Sequence, residues 1–116
     1  MLIVDDHPSF RRFAEKLLES AGYAVVGEAV DGASAVAAVR ALRPDVVLLD
    51  VLLPDTTGFA VAKELASEPE RPLVVLTSSR SASDLGALVR NEHARGFISK
   101  QDLTVAALAA LVSEAA

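Results

Sequence analysis

Two runs of four consecutive aliphatic residues, Val46-Val47-Leu48-Leu49 and Leu73-Val74-Val75-Leu76, constrain this chain most. Neither alternates with polar residues, so neither suits a sheet with one wet face. Unbroken runs of this kind fit parallel strands covered on both sides. Three further apolar runs join them: Met1 to Val4, Ala24 to Val26, and Phe97 to Ile98. Each run is too short for a helix.

Amphipathic stretches separate the runs. Phe10, Phe13, Ala14, Leu17, Leu18 and Ala21 recur at helical spacing, with Pro8 suited to the first turn and Gly22 to the stop. Asp31 caps a second helix carrying Val36, Val39 and Leu42, closed by Pro44. Thr57 caps a third carrying Val61, Ala62 and Leu65. Ser81 with Asp84 resembles a capping box for a fourth, containing Leu85, Leu88 and Val89. Asp102 or Thr104 opens a fifth, with Leu108, Leu111 and Val112; its alanine-rich end reads as a helix face. Strand and helix alternate five times, which predicts an open α/β sheet with right-handed crossovers and helices on both faces. A length of 116 residues suits a single domain over 1–116.

Such sheets bind ligands beyond the carboxyl ends of their strands. Asp5 and Asp6 follow the first run, Asp50 the third, Thr77 the fourth, and Lys100 lies just past the fifth. The second run offers only Glu28. One rim is thus expected to gather three carboxylates, a hydroxyl and an ammonium. Crowded carboxylates repel one another unless a cation or protons intervene. With no cysteine in the chain, a hard divalent ion with oxygen ligands, Mg²⁺ rather than Zn²⁺, is the natural partner. A carboxylate can also attack phosphorus, a reaction that needs mainly positioning and charge neutralisation.

Composition excludes other classes. Sixteen Asp and Glu against eleven Lys and Arg give a net charge of −5, a surface that favours neither nucleic acid nor anionic membrane. No apolar run approaches the roughly 20 residues that span a bilayer. The opening residues lack the basic start of a secretory signal, so a cytoplasmic location is expected.

Taken singly, each rim residue has an ordinary reading: Asp5-Asp6 as a solvated turn, Asp50 as a strand terminator, Thr77 as a loop hydroxyl, Lys100 as a surface lysine. Their convergence reverses this. Asp5-Asp6, the stretch Asp50-Val51-Leu52-Leu53-Pro54 with Gly58, Thr77 and Lys100 together resemble the receiver domains of response regulators, over essentially the whole chain. That resemblance implies a flavodoxin-like doubly wound sheet of five parallel strands, order 2-1-3-4-5, with five helices. It implies that Asp50 takes a phosphoryl group from a histidine kinase or phosphotransfer protein, that Asp5, Asp6, Asp50 and the Leu52 carbonyl hold Mg²⁺, and that Thr77 and Lys100 meet the phosphoryl oxygens. The chain would catalyse its own phosphorylation and dephosphorylation while serving mainly as a switch. Thr77 and Phe97 would form the two-state element, and the fourth helix, fifth strand and fifth helix the signalling face, open to homodimer formation. Leu52 and Ser79, at positions that help place hydrolytic water, imply slow dephosphorylation. Val4-Asp5-Asp6-His7-Pro8 is similar to regulators with helix-turn-helix outputs, so the chain is expected to be a stand-alone receiver or one cut from a longer regulator.

Departures from the family pattern sharpen the expectations. His93-Ala94-Arg95-Gly96 places histidine where a glycine is usual, and the Thr77 to Lys100 stretch is one residue longer, predicting an irregular end to the fourth helix. Gln101 follows Lys100 where proline, often cis, is common; a trans bond is expected because a cis bond before glutamine costs about 3 kcal/mol. Phe97 lacks a tyrosine hydroxyl, and the closeness of Met1 to Asp5 predicts a trimmed first strand. His7 reads as a helix-start residue and His93 as exposed loop. The rival from another class is a non-phosphorylated pseudo-receiver acting as an interaction module, against which the retained rim residues argue. A flavodoxin-like cofactor binder would need a phosphate loop where Asp5-Asp6-His7 stands. A haloacid-dehalogenase-like phosphatase would need an acid at Leu52.

Overall fold

The computed structural model describes residues 1–80, 82–86 and 93–113. Five strands form one parallel sheet in the order β2-β1-β3-β4-β5, bounded as β1 Leu2–Val4, β2 Gly27–Ala29, β3 Val46–Asp50, β4 Leu73–Ser78 and β5 Gly96–Ser99. Five helices alternate with them: α1 Pro8–Ser20, α2 Gly32–Leu42, α3 Gly58–Leu65, α4 Ala82–Leu85 and α5 Val105–Ser113. The α/β class, the strand order and the helix count match the expectation.

Alternation along the strands builds two aliphatic cores. Leu2, Val4, Val47, Leu49, Val74 and Leu76 face one way and pack against α2 and α3. Ile3, Leu48, Val75 and Ile98 face the other way and meet Ala14 and Leu18 of α1 and Leu108 of α5. β3 is buried at every residue, as its unbroken apolar run requires. Among the described residues no helix is long and apolar enough to cross a membrane.

The second strand lies three residues later than its apolar run suggested. The register sets Leu2 opposite Gly27 and Val4 opposite Ala29. Residues 24–26 therefore precede the ladder: the Met1 carbonyl accepts from the Val26 amide at 2.9 Å, and Val25 packs against the core on the α1 side. Val26 is exposed. Hydrogen-bond partners, not hydropathy, bound this edge strand. Phe13 and Leu42, expected on buried helix faces, are also largely exposed, because α1 buries chiefly Ala14 and Leu18 and α2 buries Ala35, Val36 and Val39.

Helix ends follow local chemistry. Pro8 occupies the first turn of α1, and Gly22 ends it at φ 88°. The Tyr23 amide returns to the Leu18 carbonyl and the Gly22 amide to that of Glu19, closing the orphan carbonyls in a Schellman arrangement. Asp31 and Ser34 form a capping box on α2. That helix ends on Arg43 in the left-handed region, φ 48°, one residue before Pro44. Thr57 caps α3 through the Ala60 amide, and the Thr104 hydroxyl accepts from Ala107 in the first turn of α5. Ser81, Leu88 and Val89, and with them the expected irregular end of α4, lie outside the described residues. His93 is half-buried rather than exposed, in the turn entering β5 where the next residue, Ala94, packs on the core. No cis peptide occurs among the described residues, so the Lys100–Gln101 bond is trans.

One long-range cap joins the site loop to α2. The Asp55 carboxylate accepts from the Gly32 amide at 2.8 Å and the Ala33 amide at 3.1 Å. The Gly32 amide chiefly lowers the Asp55 carboxyl from its ordinary value; desolvation opposes it, and the Ala33 amide and Asp55's own amide add to the lowering. A depressed folded pKa contributes stability above the unfolded value, and that stability is lost as pH falls through the folded one. Asp55→Asn is therefore expected to melt below the wild-type chain at neutral pH. The gap should close in acid below the ordinary Asp value of about 3.9. Thermal melts across that range test this; a gap independent of pH would refute it.

Candidate functional site

The carboxyl ends of the strands bring Asp5, Asp50, Thr77 and Lys100 to one rim. The ladder places Val4 beside Leu49 and Asp50 beside Thr77. Asp50 is the last residue of β3, and Lys100 opens the short 3-10 turn after β5. Asp5, Asp50 and Thr77 are 0, 3 and 1% exposed. Charge burial of this kind is costly unless paired, and Lys100 supplies the pairing. Its ammonium lies 2.6 Å from Asp5 Oδ2 and 3.3 Å from Asp50 Oδ2.

Backbone groups hold the acids in place. The His7 amide donates to Asp5 Oδ1 at 2.8 Å and the Leu52 amide to Asp50 Oδ1 at 3.4 Å. Arg11, in the first turn of α1, donates to the Asp5 carbonyl at 2.7 Å and pairs with Glu28 at 3.5 Å. Glu28 thus braces the rim from outside instead of joining the carboxylates.

The two buried acids differ in proton affinity. Burial raises the Asp50 carboxyl, the neighbouring Asp5 charge raises it further, and Lys100 offsets only part of this. For Asp5, burial also works upward, yet Lys100 and the His7 amide outweigh it and leave the carboxyl below its ordinary value. Asp5 is thus the firmer anion of the pair.

The residues present suit a hard divalent cation. Asp5, Asp6, His7 and Asp50 each offer one ligand atom, and these lie within 4.8 Å of one another. Three of the four are carboxylate oxygens. Thr77 Oγ1 is buried with no hydrogen-bond partner among the described residues. Leaving such a group unpaired costs about 1–3 kcal/mol, so the rim holds a donor suited to an incoming oxygen. An open depression of about 510 Å³ gives access, lined by Asp6, His7, Asp50, Leu52, Arg80 and Lys100 among others. Leu52 is 71% exposed. Phe97 is half-buried and packs against the core on the α2–α3 side of the sheet.

Sequence reasoning found the carboxylates, Thr77 and Lys100. It assigned His7 to a helix start, where the structure also puts it as the cap of α1, but the His7 ring additionally lies 3.0 Å from Asp5 and 3.2 Å from Asp6. Adjacency to the acidic pair was the available signal. Arg80, Arg11 and Phe10, whose ring lies under the Lys100 ammonium, were missed; only helical geometry, not pattern, could have pointed to the last two.

A five-stranded doubly wound sheet with buried acids and a lysine at one rim defines a class, and comparison with known proteins agrees with it. Residues 1–112 match the model of the response regulator receiver domain, and the chain belongs to that family, whose members act in two-component signalling. The probable transcriptional regulatory protein TcrX of Mycobacterium tuberculosis is 42% identical over 85 residues, covering 72% of this chain and 36% of that protein. The signal receiver domain of the putative response regulator NarL from Mycobacterium tuberculosis superposes with a TM-score of 0.81 at 34% identity, over 95% of this chain and 93% of that one. CheY in the CheX-CheY-BeF3-Mg²⁺ complex from Borrelia burgdorferi is similar as well, with a TM-score of 0.82 and 25% identity over 98% and 86% of the two chains. The chain spans less than half the length of the curated relatives it matches.

Proposed function

We propose that this chain accepts a phosphoryl group on Asp50 from a phosphohistidine of a kinase or phosphotransfer protein, and so switches a partner or output surface. The observation that carries this reading is the buried Asp50 carboxylate with Lys100 at 3.3 Å and Asp5 behind that lysine. An Asp50 oxygen would attack phosphorus. The new P–O bond forms as the P–N bond of the donor breaks, and the donor imidazole leaves. Lys100 would follow the charge onto a phosphoryl oxygen while keeping its contact with Asp5. The Thr77 hydroxyl, without a partner among the described residues, would donate to another.

Asp5, Asp6, Asp50 and the Leu52 carbonyl are the residues that would hold Mg²⁺. Bound there, the ion would neutralise charge on the phosphoryl oxygens in transfer. Complexation of the similar CheY with BeF3 and Mg²⁺ supports this choice. Once Thr77 turns toward the phosphoryl group, Phe97 would follow into the space behind it and alter the face formed by α4, β5 and α5.

Incubation with a small phosphoramidate donor and Mg²⁺ should add one phosphoryl group, read by intact mass. A chelator should lower the rate by on the order of a hundredfold, the scale of losing a cation that offsets several kcal/mol of developing charge. Incorporation at an unchanged rate without divalent ions would overturn the metal assignment. No incorporation under any condition would favour the pseudo-receiver.

A further inference from the structure

Lys100 has a third neighbour besides its two carboxylates. Its ammonium lies 4.5 Å from the centroid of the Phe10 ring, over the ring face. Phe10 projects from the first turn of α1, is half-buried, and packs against the core shared by α1 and α5. Its ring also meets Phe13, centroid to centroid at 6.2 Å and tilted by 42°. The ring is thus packed against the core and against Phe13 while one of its faces meets the cation.

The consequence follows from what Lys100 must do in the function proposed above, on which this inference rests. A long, four-carbon side chain has many rotamers and no fixed fork of donors. When Asp50 is phosphorylated, the ammonium must pass from the Asp50 carboxylate to a phosphoryl oxygen. Only the Asp5 contact is kept throughout, and a single ion pair fixes a distance and not a direction. An aromatic face attracts a cation over its centre and penalises departure toward its edge. We propose that Phe10 is a positioning residue for Lys100, holding the ammonium at the rim before, during and after phosphoryl transfer. An aliphatic side chain of similar bulk would fill the same volume without that directional preference.

Two measurements test this. In the NMR spectrum of the full chain, the ε-methylene protons of Lys100 should lie upfield of ordinary lysine values, shielded by the ring. Phe10→Leu should return them to the ordinary range, and Phe10→Tyr should keep the shielding. In the phosphoramidate assay, Phe10→Leu should slow incorporation about three- to tenfold, the range expected for one cation–π contact. Phe10→Tyr should restore the rate. In a Lys100→Ala background the same Phe10→Leu change should have no further effect.

The proposal is overturned if Lys100 shows no ring shielding. It is also overturned if leucine supports the wild-type rate in a chain that melts normally, or if its loss persists undiminished beside Lys100→Ala. Failure of the wild-type chain to take up any phosphoryl group would instead sink the function proposed for the site, and the shielding measurement would still decide the contact.

Discussion

Asp50→Asn is expected to abolish phosphoryl incorporation and, at the same time, to raise the melting temperature at neutral pH. The first effect follows because an amide oxygen is too weak a nucleophile to replace a carboxylate, while the size and the hydrogen bond from the Leu52 amide are kept. Intact mass after incubation with donor and Mg²⁺ should show no adduct. Labelling equal to the wild-type chain would transfer the acceptor role elsewhere. The second effect follows from the environment of Asp50. Burial first, and then the Asp5 charge, raise its carboxyl above the ordinary value. An acid with a raised folded pKa binds more protons folded than unfolded, so stability falls as pH rises from the unfolded to the folded value. At neutral pH the ionised group is therefore a cost, and asparagine removes it. Lys100 keeps Asp5 as its partner at 2.6 Å, so no unpaired buried cation is left behind. Melts in the absence of divalent ions should show the variant above wild type at neutral pH and level with it in acid. A variant that melts lower at neutral pH would mean that the Lys100–Asp50 contact outweighs the carboxylate repulsion.

Much of this arrangement could be read from the sequence because topology does the assembling. Once Val46 to Leu49 and Leu73 to Leu76 are strands of one parallel sheet, every residue just past a strand lands on the same rim, whatever the loops do. Asp5, Asp50, Thr77 and Lys100 needed no further information. The misplacement of β2 shows where that reasoning stops. Ala24, Val25 and Val26 are the apolar residues, but Gly27, Glu28 and Ala29 find ladder partners in β1. Edge strands are defined by register, which hydropathy does not carry. The unequal fates of Asp5 and Asp6, one enclosed with Lys100 and one exposed, were likewise hidden, since both follow the strand and only the path of the chain into α1 separates them. The Asp55 cap on α2 joins residues 23 apart in sequence. No local pattern announces such a contact, because Asp55 reads as an ordinary turn residue after Pro54.

Gly58→Ala is expected to be the most damaging small change outside the reactive groups. A Cβ at this position would lie 2.4 Å from the Asp50 carbonyl oxygen and 3.0 Å from both the Asp50 carbonyl carbon and Val51 Cα. All three atoms belong to the backbone, so no side chain can rotate away. The Gly58 amide also donates to the Val51 carbonyl at 2.7 Å, which holds the two segments at that separation. Either the start of α3 lifts from β3, losing contacts of Val61 and Leu65 with the core, or the last peptide of β3 moves. Overpacking with backbone displacement costs about 2–4 kcal/mol, which for a domain of this size lowers the melting temperature by on the order of 10 °C. Displacement of β3 carries Asp50 with it. Because transfer depends on alignment to a fraction of an ångström, phosphoryl incorporation should slow by roughly tenfold or more even at temperatures where the variant is fully folded. Gly22→Ala supplies the contrast. That glycine sits at φ 88° with no atom within 4 Å of the added carbon, and it closes α1 at the end away from the rim. Its substitution should cost about 1 kcal/mol through backbone conformation alone and leave the rate of incorporation untouched. If the two alanine variants lose the same stability and the same activity, the close approach of Gly58 to the Asp50 peptide is not what sets the position of the acceptor.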